Sequence, residues 1–270
     1  MKLPLAVPAV AVAGLTILWV PLVVLVVLSF NADRFGRGFD PSLVWYAKLF
    51  ANAEIGAAAK NSLILAVSST TIATVLGTML ALGVHRSPWP QRLRGAMDLT
   101  VHLPVVTPDI ILAAGMVAAF SVMQGLGSLI SGGAGPGLGL WLMILGHVTF
   151  QVSFVALVVA ARLTLIDRDQ DEAARDLYAG TWYTFTRVIL PQLAPAIAAG
   201  GMLAFVLSLD DFVVSLFTYS TASTTLPLLI YAVVKRNVTP EIHALSTVII
   251  AITTLLVLAM AKTAPQPKDP

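Results

Sequence analysis

Apolar runs long enough to cross a bilayer alternate along this chain with short polar stretches. One helical crossing needs about 20 apolar residues. Such runs fall near 7–30, 61–84, 98–123, 138–161, 196–218 and 242–262. The pattern predicts an all-α, polytopic membrane protein with about six transmembrane helices, organised as a single domain over 1–270. Two runs are interrupted. Pro104, Pro108 and Asp109 fall within the third, and "SLDDF" at 208–212 lies in the fifth. The first run follows Lys2 and ends in "LSFN". It exceeds the about 7–15 apolar residues of a signal peptide and lacks a small-residue cleavage site, so it is expected to be a retained span.

One segment breaks the pattern: "DEAARDLYAGTWYTFTRVILPQLAP", residues 171–195. It is too polar to span lipid. Asp169 or Asp171 can cap a short helix whose acidic first turn suits the positive end of the helix dipole. Ala173, Ala174 and Leu177 form a narrow face of that helix, with Glu172, Arg175 and Asp176 on others. Gly180 can supply the positive backbone angle that stops it. Thr181 is then placed to cap a second helix carrying Trp182, Phe185, Val188 and Ile189 as an apolar stripe. Pro191 and Pro195 are expected to end or bend that helix. Two readings fit such a hairpin. It lies on lipid headgroups with Trp182 and Tyr183 as anchors, or its alanine face enters a groove of another protein.

Charge gives the hairpin a side. Only 11% of residues are charged and 57% are hydrophobic, against about 25% charged in ordinary soluble domains. Ten of the 16 lysines and arginines fall on one set of alternate loops, with Lys2, "HRSPWPQRLRG" (85–95), the 162–195 loop, Lys262 and Lys268. Arg34, Arg37, Lys48, Lys60, Lys235 and Arg236 make up the other set. Basic residues favour the cytoplasmic side, so both termini and the 162–195 loop are expected there. The uncharged, glycine-rich "QGLGSLISGGAGPG" (124–137) suits an outer turn. The formal net charge of +2 gives no basis for a nucleic-acid partner, and the absence of cysteine excludes disulfides and thiolate metal sites.

Three acids, Asp109, Asp210 and Asp211, fall within apolar runs. A carboxylate at the centre of a span costs about 2.5–3.5 kcal/mol on insertion scales, so such groups face a water-filled cavity, a partner or a helix break. Each could simply cap a restarted helix: Asp109 after Pro108, and Asp210 or Asp211 in the fifth span. Taken together they suit the path of a cationic solute, with Phe212 and Phe217 as candidate walls. Trp45 and Tyr46 read as outer interfacial anchors, and His102, His147 and His243 are too scattered to suggest a metal site. Pro240 and Glu241 read as a helix start, with Glu241 also a candidate contact for an external protein.

The 171–195 segment resembles the EAA loop of ATP-binding-cassette importer permeases, whose pattern is E-A-A, three residues, G, nine residues, I, one residue, L-P. Glu172-Ala173-Ala174 and Leu190-Pro191 match at that separation. The glycine position is held by Tyr178 and the isoleucine position by Val188. Tyrosine disfavours a left-handed turn, so the bend is expected to be moved or reshaped, with Gly180 nearby. Further stretches, "SFN" (29–31), "WY" (45–46), "NSL" (61–63), "SLDDFVVSLF" (208–217), "TTLPLLIY" (224–231) and "VTPEIHALST" (238–247), resemble the spermidine/putrescine importer permeases, more narrowly their second permease subunit.

The resemblance implies a type I importer permease fold in a bacterial inner membrane, with a cytoplasmic coupling helix in the loop at about 162–195. The implied partners are a second permease, two copies of a cytoplasmic ATPase, an extracytoplasmic solute-binding protein and membrane lipid. Glu172, Ala173, Ala174, Arg175, Asp176 and Gly180 would form or shape the ATPase contact. Asp109, Asp210, Asp211 and Phe212 would line the solute pathway. No phosphate-binding loop occurs in the chain, so ATP and Mg are expected on the ATPase, with no cofactor and no bond chemistry here. The same architecture serves other solutes, such as an organophosphonate, an amino-acid derivative or iron. An ion-coupled carrier is the alternative from a different class.

Overall fold

The computed structural model describes residues 6–33, 38–131, 139–167, 169–236 and 240–263. Lys2, Arg34, Arg37, Arg168 and Lys268, used in the charge count above, lie outside these residues. The described chain is helical throughout, and its sole extended pairing is an isolated bridge between Asn31 and Pro41. The helices are α1 (Ala6–Ser29), α2 (Val44–Ala51), α3 (Ala53–Arg86), α4 (Gln91–Val106), α5 (Asp109–Ser131), α6 (Leu140–Leu163) and α7 (Asp169–Asp176). They continue with α8 (Thr181–Thr184), a π-helical turn (Phe185–Ile189), α9 (Leu190–Asp210), α10 (Val213–Thr218), α11 (Leu226–Arg236) and α12 (Pro240–Thr263).

Among the described residues, five stretches are long and apolar enough to cross a membrane: Val10–Ser29, Ala53–Arg86, Asp109–Leu126, Leu140–Leu163 and Thr181–Asp210. A shorter apolar helix covers Pro240–Leu255. The expected third span, 98–123, is not one helix. Pro108 has no N–H and forces the preceding residue out of the helical region; Thr107 accordingly takes φ −74°, ψ 131°, and α5 starts afresh at Asp109. The expected fifth span, 196–218, is also redrawn. Its helix begins upstream and stops at Asp210, and Asp211 turns the chain to an extended conformation before α10. The glycine-rich stretch expected to form an outer turn is helical as far as Ser131, where α5 ends, and its residues 132–137 lie outside the described residues.

The chain divides into two compact units, Met1–Ala57 with Leu229–Lys262, and Ala58–Leu228 with Thr263–Pro270. In the first, the Ser29–Asn31 and Trp45–Tyr46 pairs are tied together. Ser29 Oγ lies 2.7 Å from the Tyr46 hydroxyl, and the Trp45 indole N–H donates to the Asn31 carbonyl at 2.7 Å. Asn31 Oδ1 also accepts from the Asp40 backbone N–H at 2.9 Å. Trp45 is buried, so it is not the interfacial anchor its position suggests: its polar edge is spent inside the unit.

The second unit is built on small residues that let helix backbones approach. A Cβ at Gly77 would lie 2.8 Å from the Val152 carbonyl oxygen, which brings α3 against α6. Another at Gly146 would meet a Val214 methyl at 2.7 Å, which brings α10 against α6. Ala73, Val155, Val159, Leu193 and Ala204 are fully buried in this packing. The helix α3 also pins the loop before α11. Asn61 donates from Nδ2 to the carbonyls of Ala222 (3.2 Å) and Thr224 (3.0 Å), and Ser62 Oγ accepts the Leu226 N–H at 2.8 Å.

Candidate coupling hairpin and polar joint

Residues 169–189 form a helical hairpin on the second unit. Asp167 Oδ1 accepts the Asp169 N–H at 3.1 Å and so fastens the start of α7. Asp171 does not cap. Its carboxylate pairs with Arg86 at the end of α3, both groups being largely buried. Gln170 Oε1 accepts from Gln192 Nε2 at 2.7 Å, and Arg162 Nε donates to the Gln192 carbonyl at 3.3 Å. Thus α7 is held against the ends of α3 and α9 by polar side chains, with α6 tied to α9 beside it, while Glu172, Ala173, Arg175 and Asp176 are exposed and Ala174 is half-buried.

The turn lies where the sequence disfavours it. Tyr178 has φ 58°, the sole non-glycine residue described with a positive φ. Its N–H donates to the Arg175 carbonyl at 2.8 Å, and the Ala179 N–H donates to the Ala174 carbonyl at 3.0 Å. That pair of bonds is a Schellman stop, which puts one residue in the left-handed region. The bend has therefore neither moved nor been taken over by Gly180, which is extended at φ −67°, ψ 157° and occupies the N-cap of α8. Thr181 is the first helical residue rather than the cap. The tyrosine is tolerated because its side chain, 97% exposed, meets nothing. The backbone itself costs about 1 kcal/mol or more.

Pro191 and Pro195 do not end the second arm. The Leu190 N–H reaches back to the Phe185 carbonyl, an i to i−5 bond. This wide turn precedes Pro191, whose ring would otherwise crowd the carbonyl four residues back. The helical path then runs unbroken from Thr181 to Asp210, 30 residues. Of the expected apolar stripe, Ile189 is buried and Phe185 packs on the core, whereas Trp182 is exposed. Leu177, Tyr178, Trp182 and Tyr183 leave large apolar surfaces uncovered at the hairpin tip.

At the other end of that path lies a polar joint. Asp211 Oδ1 accepts the Val214 N–H at 3.3 Å and Oδ2 accepts the Ser215 N–H at 2.8 Å, capping α10. His147 of α6, with no exposed surface, places Nε2 3.2 Å from Asp211 Oδ2 and 3.2 Å from Ser215 Oγ. Its Nδ1 is 2.8 Å from Ser208 Oγ, which lies 3.3 Å from Ser69 Oγ on α3. Asp210 is exposed at the end of α9. Phe212 packs beside Leu65, Met143 and Leu228 instead of standing as a free wall. Asp109 is exposed as the first residue of α5, with Pro108 supplying the cap carbonyl. It shares no hydrogen bond or ion pair with Asp210 or Asp211 among the described residues.

The sequence reading weighed His147 only as a metal ligand, yet a signal for another role was present. His147 and Gln151 stand four apart on one face of an apolar span, and both are fully buried, with Gln151 Nε2 donating to the Ala204 carbonyl at 3.1 Å. No group of three or more metal-ligating side chains occurs among the described residues.

Residues 73–262 match the family described as "Binding-protein-dependent transport system inner membrane component". The chain belongs to that family. As an inner-membrane transport component it is 37% identical to the spermidine/putrescine transport system permease protein PotC of Escherichia coli, over 90% of this chain and 87% of that one. It is 36% identical to the putrescine transport system permease protein PotI of the same species, over 88% and 83%. Its fold matches that of a bacterial ABC transporter involved in import of the acidic polysaccharide alginate. That match has a TM-score of 0.80 at 19% identity and covers 96% of this chain and 95% of the other. The permease is thus a multi-pass membrane protein with the fold of an ABC importer permease.

Proposed function

We propose that this permease forms half of the translocation path of an ATP-driven importer for polyamines such as spermidine and putrescine, with a second permease as the other half. The observation that carries the coupling part is the hairpin: pinned by polar contacts on one side, it presents uncovered leucine, tyrosine and tryptophan on the other. Exposed apolar surface of that kind marks a protein-binding or membrane-binding patch, and the EAA-type sequence around Glu172, Ala173 and Ala174 favours a protein. Its occupant is a cytoplasmic ATPase, with Glu172, Ala173 and Ala174 at the contact and Arg175, Asp176 and Gly180 shaping it. ATP and Mg reside on that subunit. Both termini and the hairpin are cytoplasmic by the distribution of basic residues, and a solute-binding protein delivers polyamine from the other side.

Transport follows from the continuous helical path. The 30 residues from Thr181 to Asp210 span about 45 Å at 1.5 Å per residue. Movement of the hairpin with nucleotide state is carried along this rod to the joint at 210–212 and alternates access to the solute. Asp210, exposed beside the joint, and Asp109 supply carboxylates for the solute's ammonium groups, and the names of PotC and PotI support that solute class. The test is uptake into vesicles holding the purified assembly, with ATP on the hairpin side. Spermidine accumulation that requires both ATP and binding protein is expected. Uptake by this chain alone on an ion gradient would overturn the reading in favour of an ion-coupled carrier.

A further inference from the structure

We infer that His147 is a positioning residue for the solute site, acting through Asp211 to set the joint that aims Asp210. The inference rests on the reading of Asp210 as a solute-facing carboxylate.

A helix break inside an apolar span leaves N–H and C=O groups that lipid cannot satisfy. Asp211 satisfies two of them, on α10. That alone would cap a helix, as any aspartate might at a water-exposed end. Here the carboxylate is nearly covered, at 8% side-chain exposure, and the group set against it is an imidazole with 0%. Such burial is costly unless every polar atom has a partner. The imidazole meets the requirement from three elements at once: Ser208 before the break, Asp211 in it and Ser215 after it.

The hydrogen on the ring follows from its neighbours. A carboxylate only accepts, so a bare Nε2 lone pair 3.2 Å from Asp211 Oδ2 would be repelled. Nε2 therefore carries hydrogen, and it faces both Asp211 and Ser215. Nδ1 faces the Ser208 hydroxyl, which can donate to it, and Ser208 is backed by Ser69 on α3. The result is a clamp running from α3 through α9 and α6 to α10. It fixes the angle at which α9 ends, and Asp210 is the last residue of α9. The approach that makes this possible is local: Gly146, next to His147, is where α10 comes within 2.7 Å of a would-be side chain on α6.

The clamp also divides labour between the adjacent aspartates. Both oxygens of Asp211 are occupied by the protein itself, so Asp211 holds and Asp210 meets the solute. Removing His147 would leave Asp211 held only by the Val214 and Ser215 N–H groups, so the end of α9 loses its tie to α6 and Asp210 its fixed aim, which loosens the site without removing a solute contact.

The experiment uses the full assembly in vesicles, and reads the half-saturating concentration from spermidine binding to the assembly without binding protein and the maximal rate from ATP-driven uptake with it. For H147L, which fills the space without a donor, the half-saturating concentration is expected to rise about tenfold, with maximal rate changed less than about twofold. H147Q, whose amide restores a donor near the Nε2 position, should recover most of the loss. D211N should resemble H147L, and H147L/D211N should be no worse than either single variant, since residues acting as one unit are not additive. Multiplying effects in the double variant, or loss of maximal rate with unchanged half-saturation, would reduce His147 to a packing role. If D210N raises half-saturation and H147L does not, the positioning role alone falls. If D210N leaves half-saturation unmoved, the solute-facing reading of Asp210 falls, and the inference with it. Should H147L fail to assemble, S208A removes the hydroxyl at Nδ1 and carries the same comparison with an expected shift of about threefold.

Discussion

Two of the places where charge interrupts the apolar helices, the α9–α10 joint and the hairpin, treat their charges oppositely. At the α9–α10 joint, Asp211 is enclosed and its oxygens are engaged by two backbone N–H groups and an imidazole. At the hairpin, Glu172, Arg175 and Asp176 are exposed, and so are Leu177, Tyr178, Trp182 and Tyr183. The joint is complete within one chain. The hairpin is anchored on the face that Arg86 and Gln192 hold and open on the other. A closed polar cluster fixes geometry, whereas an open one with apolar residues around it accepts a partner. The contrast supports the proposal that the joint serves the solute and the hairpin a partner ATPase.

The largest effect should come from the open end. Glu172→Lys reverses charge at the contact, and Ala173→Trp fills the space that lets another protein approach. Either is expected to lower ATP-dependent uptake by about twentyfold or more, as loss of a central interface contact does. The chain should stay in the membrane at normal abundance, because neither side chain is buried here. Uptake assayed alongside co-purification of the ATPase separates lost docking from lost folding. Normal uptake by both variants would leave the hairpin with a lipid-facing role.

Next comes the joint itself. Asp210→Asn keeps shape and removes charge, and should raise half-saturating spermidine about tenfold, as expected for one charge-assisted hydrogen bond of roughly 1.4 kcal/mol. Dependence on the solute's charge sharpens this: putrescine, with fewer ammonium groups, should suffer a different factor. An equal, small effect on both would move the carboxylate out of the pathway.

These two regions also show what a reader of the residues alone could find. The hairpin was legible because its signals are local: an acidic first turn, an alanine face and a proline after a fixed interval. Its turn was not, since φ preference argued against Tyr178 and for Gly180. The structure keeps the turn at Tyr178 because the helix ends two residues earlier, at Asp176, and the Schellman bonds demand the left-handed residue there. The joint was half legible. An aspartate pair in an apolar run announces a break, but its partner His147 lies 64 positions away (211 − 147), on another helix. No periodicity in one segment can report such a pairing. Trp45 failed for the same reason, its acceptor being a backbone carbonyl across a loop.

The turn offers a smaller test. Tyr178→Gly should keep coupling and add stability, since glycine adopts φ 58° without strain. Tyr178→Val should lower coupled uptake about threefold to tenfold, because a β-branched residue there adds roughly 1–3 kcal/mol of backbone strain and favours other turn geometries. Equal uptake by both variants would show that the ATPase contact imposes the turn, regardless of the free chain's preference.

The smallest effect is expected where the hairpin meets α3. Arg86 and Asp171 face each other at the hairpin's base with 15% and 21% side-chain exposure. One atom on each, Arg86 Nη2 and Asp171 Oδ1, is buried without a hydrogen-bond partner. The pair is therefore incompletely satisfied, and half-satisfied ion pairs add little net stability. Asp171→Ala leaves Arg86 buried and unpaired and should reduce coupled uptake about threefold through a loosened α7. Arg86→Met with Asp171→Leu replaces both charges by apolar groups of similar bulk and should lose about twofold or less. Uptake by the double replacement well below that of Asp171→Ala would mean that the ion pair transmits movement from the hairpin to α3. Recovery in the double replacement would confine it to holding the hairpin in place and leave transmission to the unbroken path through Pro191 to Asp210.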